Sequence, residues 1–180
     1  MVLVGVEQGI LLAMVLSQLR VVRHSYRPHT GVLVGAKEAA WHRVPAAPGA
    51  VTEPGLVIYR FGAALFYANA SLFAKEVQGL VGLAPSSVRW LVVDAEAITN
   101  VDYTAARMIR QLHGELVRRG VSLAFARVSS SLKADLDRHR LTDGIGPARL
   151  FDRLHDALAA FERWREPASP AERDSRHERQ

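Results

Sequence analysis

Residues 89–94, Arg89-Trp90-Leu91-Val92-Val93-Asp94, are followed by Ala95-Glu96-Ala97-Ile98-Thr99-Asn100-Val101-Asp102 and then by Tyr103-Thr104-Ala105-Ala106. The first of these segments is a near-continuous apolar run closed by a carboxylate. A run of that kind reads as a central parallel strand covered on both faces. From Tyr103 to Arg119 the period changes. Ala105, Met108, Ile109, Leu112 and Leu116 fall on one stripe, Arg107, Arg110, Glu115 and Arg118 fall off it, and Gly120 stands at the stop. A buried strand that passes through a short loop into an amphipathic helix is half of a β-α-β unit, so the fold class is α/β.

Working outward, Leu56-Val57-Ile58-Tyr59-Arg60 and Ala64-Leu65-Phe66-Tyr67-Ala68 are short β-rich runs separated by Phe61-Gly62-Ala63, which predicts a hairpin. Asn69 is placed to cap a helix whose Leu72, Phe73, Val77, Leu80 and Val81 have helical spacing. Downstream, Val121 to Ala126 is the next strand, Ser130 caps a short helix through Leu132 and Leu136, and Asp143-Gly144 is a turn. Ala148 to Phe151 supplies a last edge strand before a helix carrying Leu154, Ala157, Leu158, Phe161 and Trp164. The order β-β-α-β-α-β-α-β-α predicts a sandwich over residues 55–166, with helices packed on a mostly parallel sheet. Residues 167–180 hold no large apolar side chain and are expected to be a disordered tail. Residues 23–54, punctuated by Pro28, Gly31, Gly35, Pro45, Pro48, Gly49 and Pro54, are expected to be a linker.

Residues 1–22 open on MVLVGVEQGILLAMVLSQL, about as long as the roughly 18–20 residues that cross a hydrocarbon core as a helix. The expectation is an apolar, transmembrane-like helix. Glu7 interrupts it, and a carboxylate at mid-span costs at least ~2.5–3.5 kcal/mol, so it belongs against other helices or a polar cavity. No basic residue precedes the run and no small-residue cleavage site ends it, which argues against a signal peptide. A soluble core helix, an interfacial anchor and the last helix of a larger bundle all remain open.

The chain has 180 residues, a formal net charge of +5 and no cysteine. That length allows one domain with an appendage. Without a thiol there is no disulfide scaffold, zinc ribbon, iron–sulfur cluster or cysteine nucleophile. By position, residues 1–19 carry −1, residues 20–44 carry +4 and the remainder +2. The surplus therefore sits directly behind the apolar run, where Arg20, Arg23 and Arg27 form the cluster that the positive-inside rule places on the cytoplasmic side. Such a cluster favours an anionic lipid surface by about 1 kcal/mol per residue. Nucleic acid is not an expected partner, because the basic residues lack aromatic interleaving on a strand face.

No GxGxxG, Walker A loop, HExxH or GxSxG is present, and the histidines are scattered. Neither an enzyme, a catalytic residue nor a metal site is expected. Asp94 and Asp102 could pair as acid and base, but the plainer reading has Asp94 ending a strand and Asp102 capping a helix. The segment 94–105 lies at the carboxyl end of a parallel strand, where ligands and partners meet open α/β sheets. There the helix N-terminus favours an anion; Asp102 is expected to satisfy two of its N–H groups, and Thr104 places a hydroxyl in the first turn.

This strand, its Asp94, a loop ending Ile98-Thr99-Asn100-Val101-Asp102-Tyr103-Thr104-Ala105, and the helix after it resemble the STAS domain of sulfate transporters and bacterial anti-sigma factor antagonists. Pro54 to Phe61 followed by Leu65 to Ala70 is similar to the transporter branch. Gly5-Val6-Glu7-Gln8-Gly9-Ile10 resembles the last transmembrane helix of the SulP anion-transporter family. The resemblance runs from about Val4 to Trp164.

It implies a STAS-like sandwich preceded by an apolar helix, acting as the cytoplasmic regulatory and interaction domain of a SulP-type sulfate or related anion transporter at the cell membrane. Only the end of the last span of the transport core is represented. The implied partners are the transporter membrane domain, an anionic lipid surface and a regulatory protein or kinase. The alternative is a free-standing soluble STAS protein of the antagonist type, acting by protein–protein binding. In antagonists the residue after the loop aspartate is commonly a phosphorylated serine, whereas here it is Tyr103, and the glycine often found next is Ala105. Thr104 is the hydroxyl left as a phosphorylation candidate. The partner-binding or anion-binding loop implied by the resemblance comprises Asp94, Thr99, Asn100, Asp102, Tyr103 and Thr104. No cofactor is expected; nucleotide binding at the loop is a family-level expectation without a phosphate-cradling glycine loop to support it.

Overall fold

Trp90–Asp94 is buried along its whole length, which only a strand with neighbours on both sides and cover on both faces achieves. The computed structural model describes residues 5–26, 28–35 and 41–165. In chain order the elements are α1 (Val6–Tyr26), β1 (Thr30–Val34), β2 (His42–Val44), β3 (Leu56–Phe61), α2 (Ala70–Gly82), β4 (Trp90–Asp94), α3 (Tyr103–Arg118), β5 (Ser122–Ala126), α4 (Ser130–Arg138), α5 (Leu141–Ile145), a 3-10 turn (Pro147–Arg149), β6 (Leu150–Phe151) and α6 (Leu154–Arg165). One sheet of six strands has the order β2-β1-β3-β4-β5-β6. Strands β3 to β6 are mutually parallel, and β1 pairs antiparallel with both β2 and β3.

Alternation along the strands divides the core. Val57, Tyr59, Leu91, Val93, Leu123 and Phe125 face the layer made by α2, α3 and the α4–α5 pair. Leu56, Ile58, Trp90, Val92, Ala124 and Ala126 face the other way, where Leu154, Ala157 and Phe161 of α6 meet them. Tyr59, Phe61 and Phe73 form an aromatic cluster with centroids 5.5–6.3 Å apart. The Tyr59 hydroxyl donates to Glu76 Oε2 at 2.7 Å. Burial first, and that bond second, push the phenol well above its ordinary range, so it stays a donor. The Trp90 indole packs edge-on against Phe161 with the Arg149 guanidinium 4.0 Å above it, and its Nε1–H is buried without an acceptor.

Four expectations need correction. Residues 23–54 are not a linker throughout. Helix α1 reaches Tyr26, and β1 and β2 complete the sheet. Gly31 is there for packing, because a Cβ would lie 2.6 Å from the Val44 carbonyl oxygen on β2. Thr52 ties β1 to β3 by donating to Leu33 O and accepting from Ile58 N, both at 2.8 Å. The hairpin of 56–60 with 64–68 does not form. The partner of β3 on that side is β1, and Leu65 makes only an isolated parallel bridge with Val101. Ser129, not Ser130, caps α4 by accepting from Leu132 N at 3.2 Å. Asp143-Gly144 lies within α5 and is not a free turn.

Helix α1 occupies the stretch expected to be an apolar helix, but among the described residues no helix is long and apolar enough to cross a membrane. Gln8, Gln18, Arg20 and Arg23 break its apolar run. The side chains of Glu7, Arg20 and Arg23, and the whole of Arg27 and of the tail 167–180, lie outside the described residues.

The strand β1 carries Val32 and Leu33, buried in opposite cores. At about 1.5–3 kcal/mol each, their loss removes a large share of a domain's stability and bares the edge of β3. A chain starting at residue 28 should therefore unfold cooperatively in urea, and one starting at residue 55 should be about 3–6 kcal/mol less stable or aggregate.

Candidate functional site

The site begins with a buried charge. Asp94 ends β4 with no solvent exposure, and an ionised carboxylate there must be neutralised. Arg60 of β3 bonds Asp94 Oδ2 through Nε at 2.7 Å and reaches Glu96 through Nη2 at 2.6 Å. Arg127, directly after β5, lies 2.6 Å from Glu96 and 3.7 Å from Asp94. It does so from a left-handed backbone conformation, φ +58°, of the kind that costs a non-glycine residue about 1–3 kcal/mol. The carboxyl ends of three neighbouring parallel strands are thus clamped by two arginines and two carboxylates. Arg127 also lines a cavity of about 630 Å³ with Trp41, His155, Leu158 and Glu162.

Beyond this clamp the loop is pinned at each step. Ala95 N–H donates to Ala126 O at 2.9 Å, prolonging the β4–β5 ladder. Leu65 N–H donates to Asn100 O and Asp102 N–H to Leu65 O, both at 3.1 Å. Asp135 of α4, also buried, accepts from the buried Val101 N–H at 3.0 Å and pairs with Arg138 at 2.8 Å. Asp102 is the N-cap of α3, accepting from Ala105 N at 2.7 Å through Oδ1. Its Oδ2 accepts from Tyr67 N at 2.8 Å. The expectation that Asp102 satisfies two helix donors is corrected: it satisfies one, and fastens the neighbouring turn with the other oxygen. Asn69 stands at the N-cap of α2 without making a cap bond. Its side chain holds the same turn, accepting from Phe66 N at 3.0 Å and donating to Ala64 O at 2.9 Å.

The residues expected to form one site therefore separate by role. Asp94 is an internal anchor and Asp102 a half-buried fastener, while Thr99, Asn100, Tyr103 and Thr104 are exposed. Tyr103 has 71% of its surface in solvent and Tyr67, across the loop, 64%. Arg60, Arg127, Asp135 and Tyr67 lie outside the segment that the sequence singles out; a charged residue at the end of a parallel strand was the available signal for the first two. Among the described residues no group of three or more His, Asp or Glu is placed to hold a metal ion.

Four parallel strands extended by an antiparallel pair, with a pinned loop leading from the central strand to an exposed helix N-terminus, define a STAS-type domain. The chain matches the STAS domain over residues 47–157 and belongs to that family. It is 39% identical over 160 residues to the probable sulfate transporter Rv1739c of Mycobacterium tuberculosis, covering 88% of this chain and 29% of that protein. To sulfate transporter 4.1, chloroplastic, of Arabidopsis thaliana it is 25% identical over 164 residues, 86% of this chain and 24% of the relative. The chain thus spans less than a third of the length of these relatives. Among solved structures it resembles the murine anion transporter Slc26a9, with a TM-score of 0.68 and 18% identity over 84% of this chain and 25% of that one. It also resembles the SulP transporter STAS domain of Vibrio cholerae, with a TM-score of 0.53 and 14% identity over 64% and 89% of the two chains. The chain is related to SulP sulfate transporters, and β1 and β2 lie upstream of the family match.

Replacing Asp135 by alanine should cost about 1–3 kcal/mol in urea denaturation, because it orphans the buried Val101 N–H, whose hydrogen exchange should accelerate. Arg138→Gln removes a mostly exposed guanidinium from the buried Asp135 but leaves the Val101 N–H bonded to that carboxylate, so it should cost less than Asp135→Ala and keep that amide protected.

Proposed function

We propose that this chain is the regulatory and interaction domain of a SulP-type sulfate or related anion transporter, held on the cytoplasmic side of the cell membrane and without catalytic activity of its own. The observation that carries this reading is the pairing of a pinned, exposed contact loop with the relationship to sulfate transporters along most of the chain. The loop's backbone is fixed from three sides while Thr99, Asn100, Tyr103 and Thr104 point their chemistry to solvent, so its role is recognition. Supporting it, Ile10, Leu11, Leu12, Met14, Val15 and Leu16 of α1 are each 52–62% exposed. A row of large apolar side chains in that state calls for a covering partner, and the end of a transporter's helical bundle is the cover we assign. Arg20, Arg23 and Arg27 then sit at the membrane boundary and meet anionic lipid, and Thr104 is the modifiable hydroxyl of the contact loop.

The test is sulfate uptake. In a strain unable to import sulfate, the locus encoding this chain with its upstream reading frame should restore uptake of radiolabelled sulfate. Asp102→Ala/Tyr103→Ala should lower that uptake severalfold at unchanged protein abundance in the membrane fraction. Full uptake by the loop variant overturns the regulatory role. Recovery of the whole chain in the soluble fraction without detergent turns the reading towards a free-standing antagonist-type protein.

A further inference from the structure

The contact loop opens onto a basic face. Tyr103 begins the exposed stripe of α3, and Arg107 and Arg110, four and seven residues on, share that stripe and are exposed. Across from them, the corner between α4 and α5 presents Arg138, His139 and Arg140, the last in a left-handed conformation with φ +53°. Tyr103, Ala106, Arg110, Arg138, His139 and Arg140 line a cleft of about 270 Å³. Two contacts join its walls. Arg110 Nη2 donates to His139 O at 2.5 Å, and the Tyr103 and His139 rings meet edge to face with centroids 6.4 Å apart.

Three of the acidic side chains around this face are already engaged, while Asp143, in the first turn of α5, is exposed and makes no ion pair among the described residues. Asp102 is taken by the Tyr67 and Ala105 N–H groups, and Asp135 by Val101 N–H and Arg138. Asp137 is bonded by Lys133 and Thr142, and these bonds hold its carboxyl below the usual range. Arg107, Arg110 and Arg140 make no ion pair among the described residues. A single small anion gains little from exposed guanidinium groups. A chain bearing several carboxylates collects several such contacts at once, and an exposed tyrosine ringed by arginines has the composition of a protein hot spot. A concave cleft suits a protruding side chain better than a flat layer of headgroups.

We propose that the face formed by Tyr103, Arg107, Arg110, Arg138 and Arg140 docks an acidic protein segment. The inference rests on the contact-loop reading above and gives the partner its chemistry. Carboxylates of the segment bridge the two walls of the cleft, and its chain packs on the Tyr103 ring.

Fluorescence anisotropy of the full chain with a short fluorescein-labelled peptide of alternating Glu and Ser tests this. Binding should be saturable and should weaken steeply with added salt. Arg110→Gln/Arg140→Gln should weaken it about tenfold, as the loss of two exposed ion pairs allows, whereas Arg110→Lys/Arg140→Lys should keep most of it. Arg118→Gln/Arg119→Gln makes the same charge change at the far end of α3 and should leave binding at the wild-type level. The proposal is overturned if that control weakens binding equally, or if the Arg110/Arg140 pair has no effect. It is also overturned if phosphatidylserine vesicles show the Arg110/Arg140 dependence while the peptide does not bind. Should the peptide fail while the loop variant still lowers sulfate uptake, the acidic segment falls and the contact loop stands.

Discussion

The carboxylate of Asp94 has no access to water, and much of the architecture around it follows from keeping it neutralised. Arg60 and Arg127 meet the requirement from the two strands that flank β4, so the clamp also fixes how the ends of β3, β4 and β5 align. Neither arginine is fully buried; both keep part of their surface in solvent and share Glu96. That sharing lowers the desolvation cost of the ensemble, since only one of the four charges is removed from water entirely. The left-handed backbone at Arg127 is a local strain that the clamp over-determines.

A fixed strand end makes a fixed loop possible. Leaving Asp94, the chain is caught in turn by Ala126 O, by Leu65 and by the Asp135 carboxylate before it enters α3. None of these partners is adjacent in sequence, and they come from β5, from the turn before α2 and from α4. Side chains on a loop held in this way present a defined surface with little ordering entropy left to lose on contact, which is what a recognition loop requires. Asp102 shows the economy of the arrangement, with one oxygen ending a helix and the other fastening a turn.

How far the sequence is legible depends on whether local chemistry or a distant partner decides the structure. The strand at Trp90–Asp94 and the helix at Tyr103–Arg118 declare themselves through period and composition, because each buries a full set of apolar side chains. The strands β1 and β2 do not. They have five and three residues, and lie among prolines and glycines whose local meaning is turn or linker. Gly31 reads as flexible until β2 is seen packed against it. Residues 64–68 carry β-rich composition yet form no strand, since β1 already occupies the edge of β3 and Asn69 folds the segment into a turn. Within the site, Asp94 and Asp102 are readable as a strand end and a cap. The reach of Arg60, Arg127 and Asp135 depends on which elements end up side by side.

Charge makes the same point at the level of the surface. Summed along the sequence, the folded part is close to neutral and the surplus belongs to residues 20–44. Summed by position in the fold, several of the acidic side chains are turned to internal work. Asp94 is in the clamp, Asp102 and Asp135 hold backbone amides, and Asp137 is held by Lys133 and Thr142. Among the described residues the arginines of α3 and of the α4–α5 corner make no ion pair apart from Arg138, and Arg110 bonds the neutral His139 carbonyl. A near-zero total therefore coexists with a basic face beside Tyr103, because Asp102, Asp135 and Asp137 near it are engaged within the fold while Arg107, Arg110 and Arg140 are displayed.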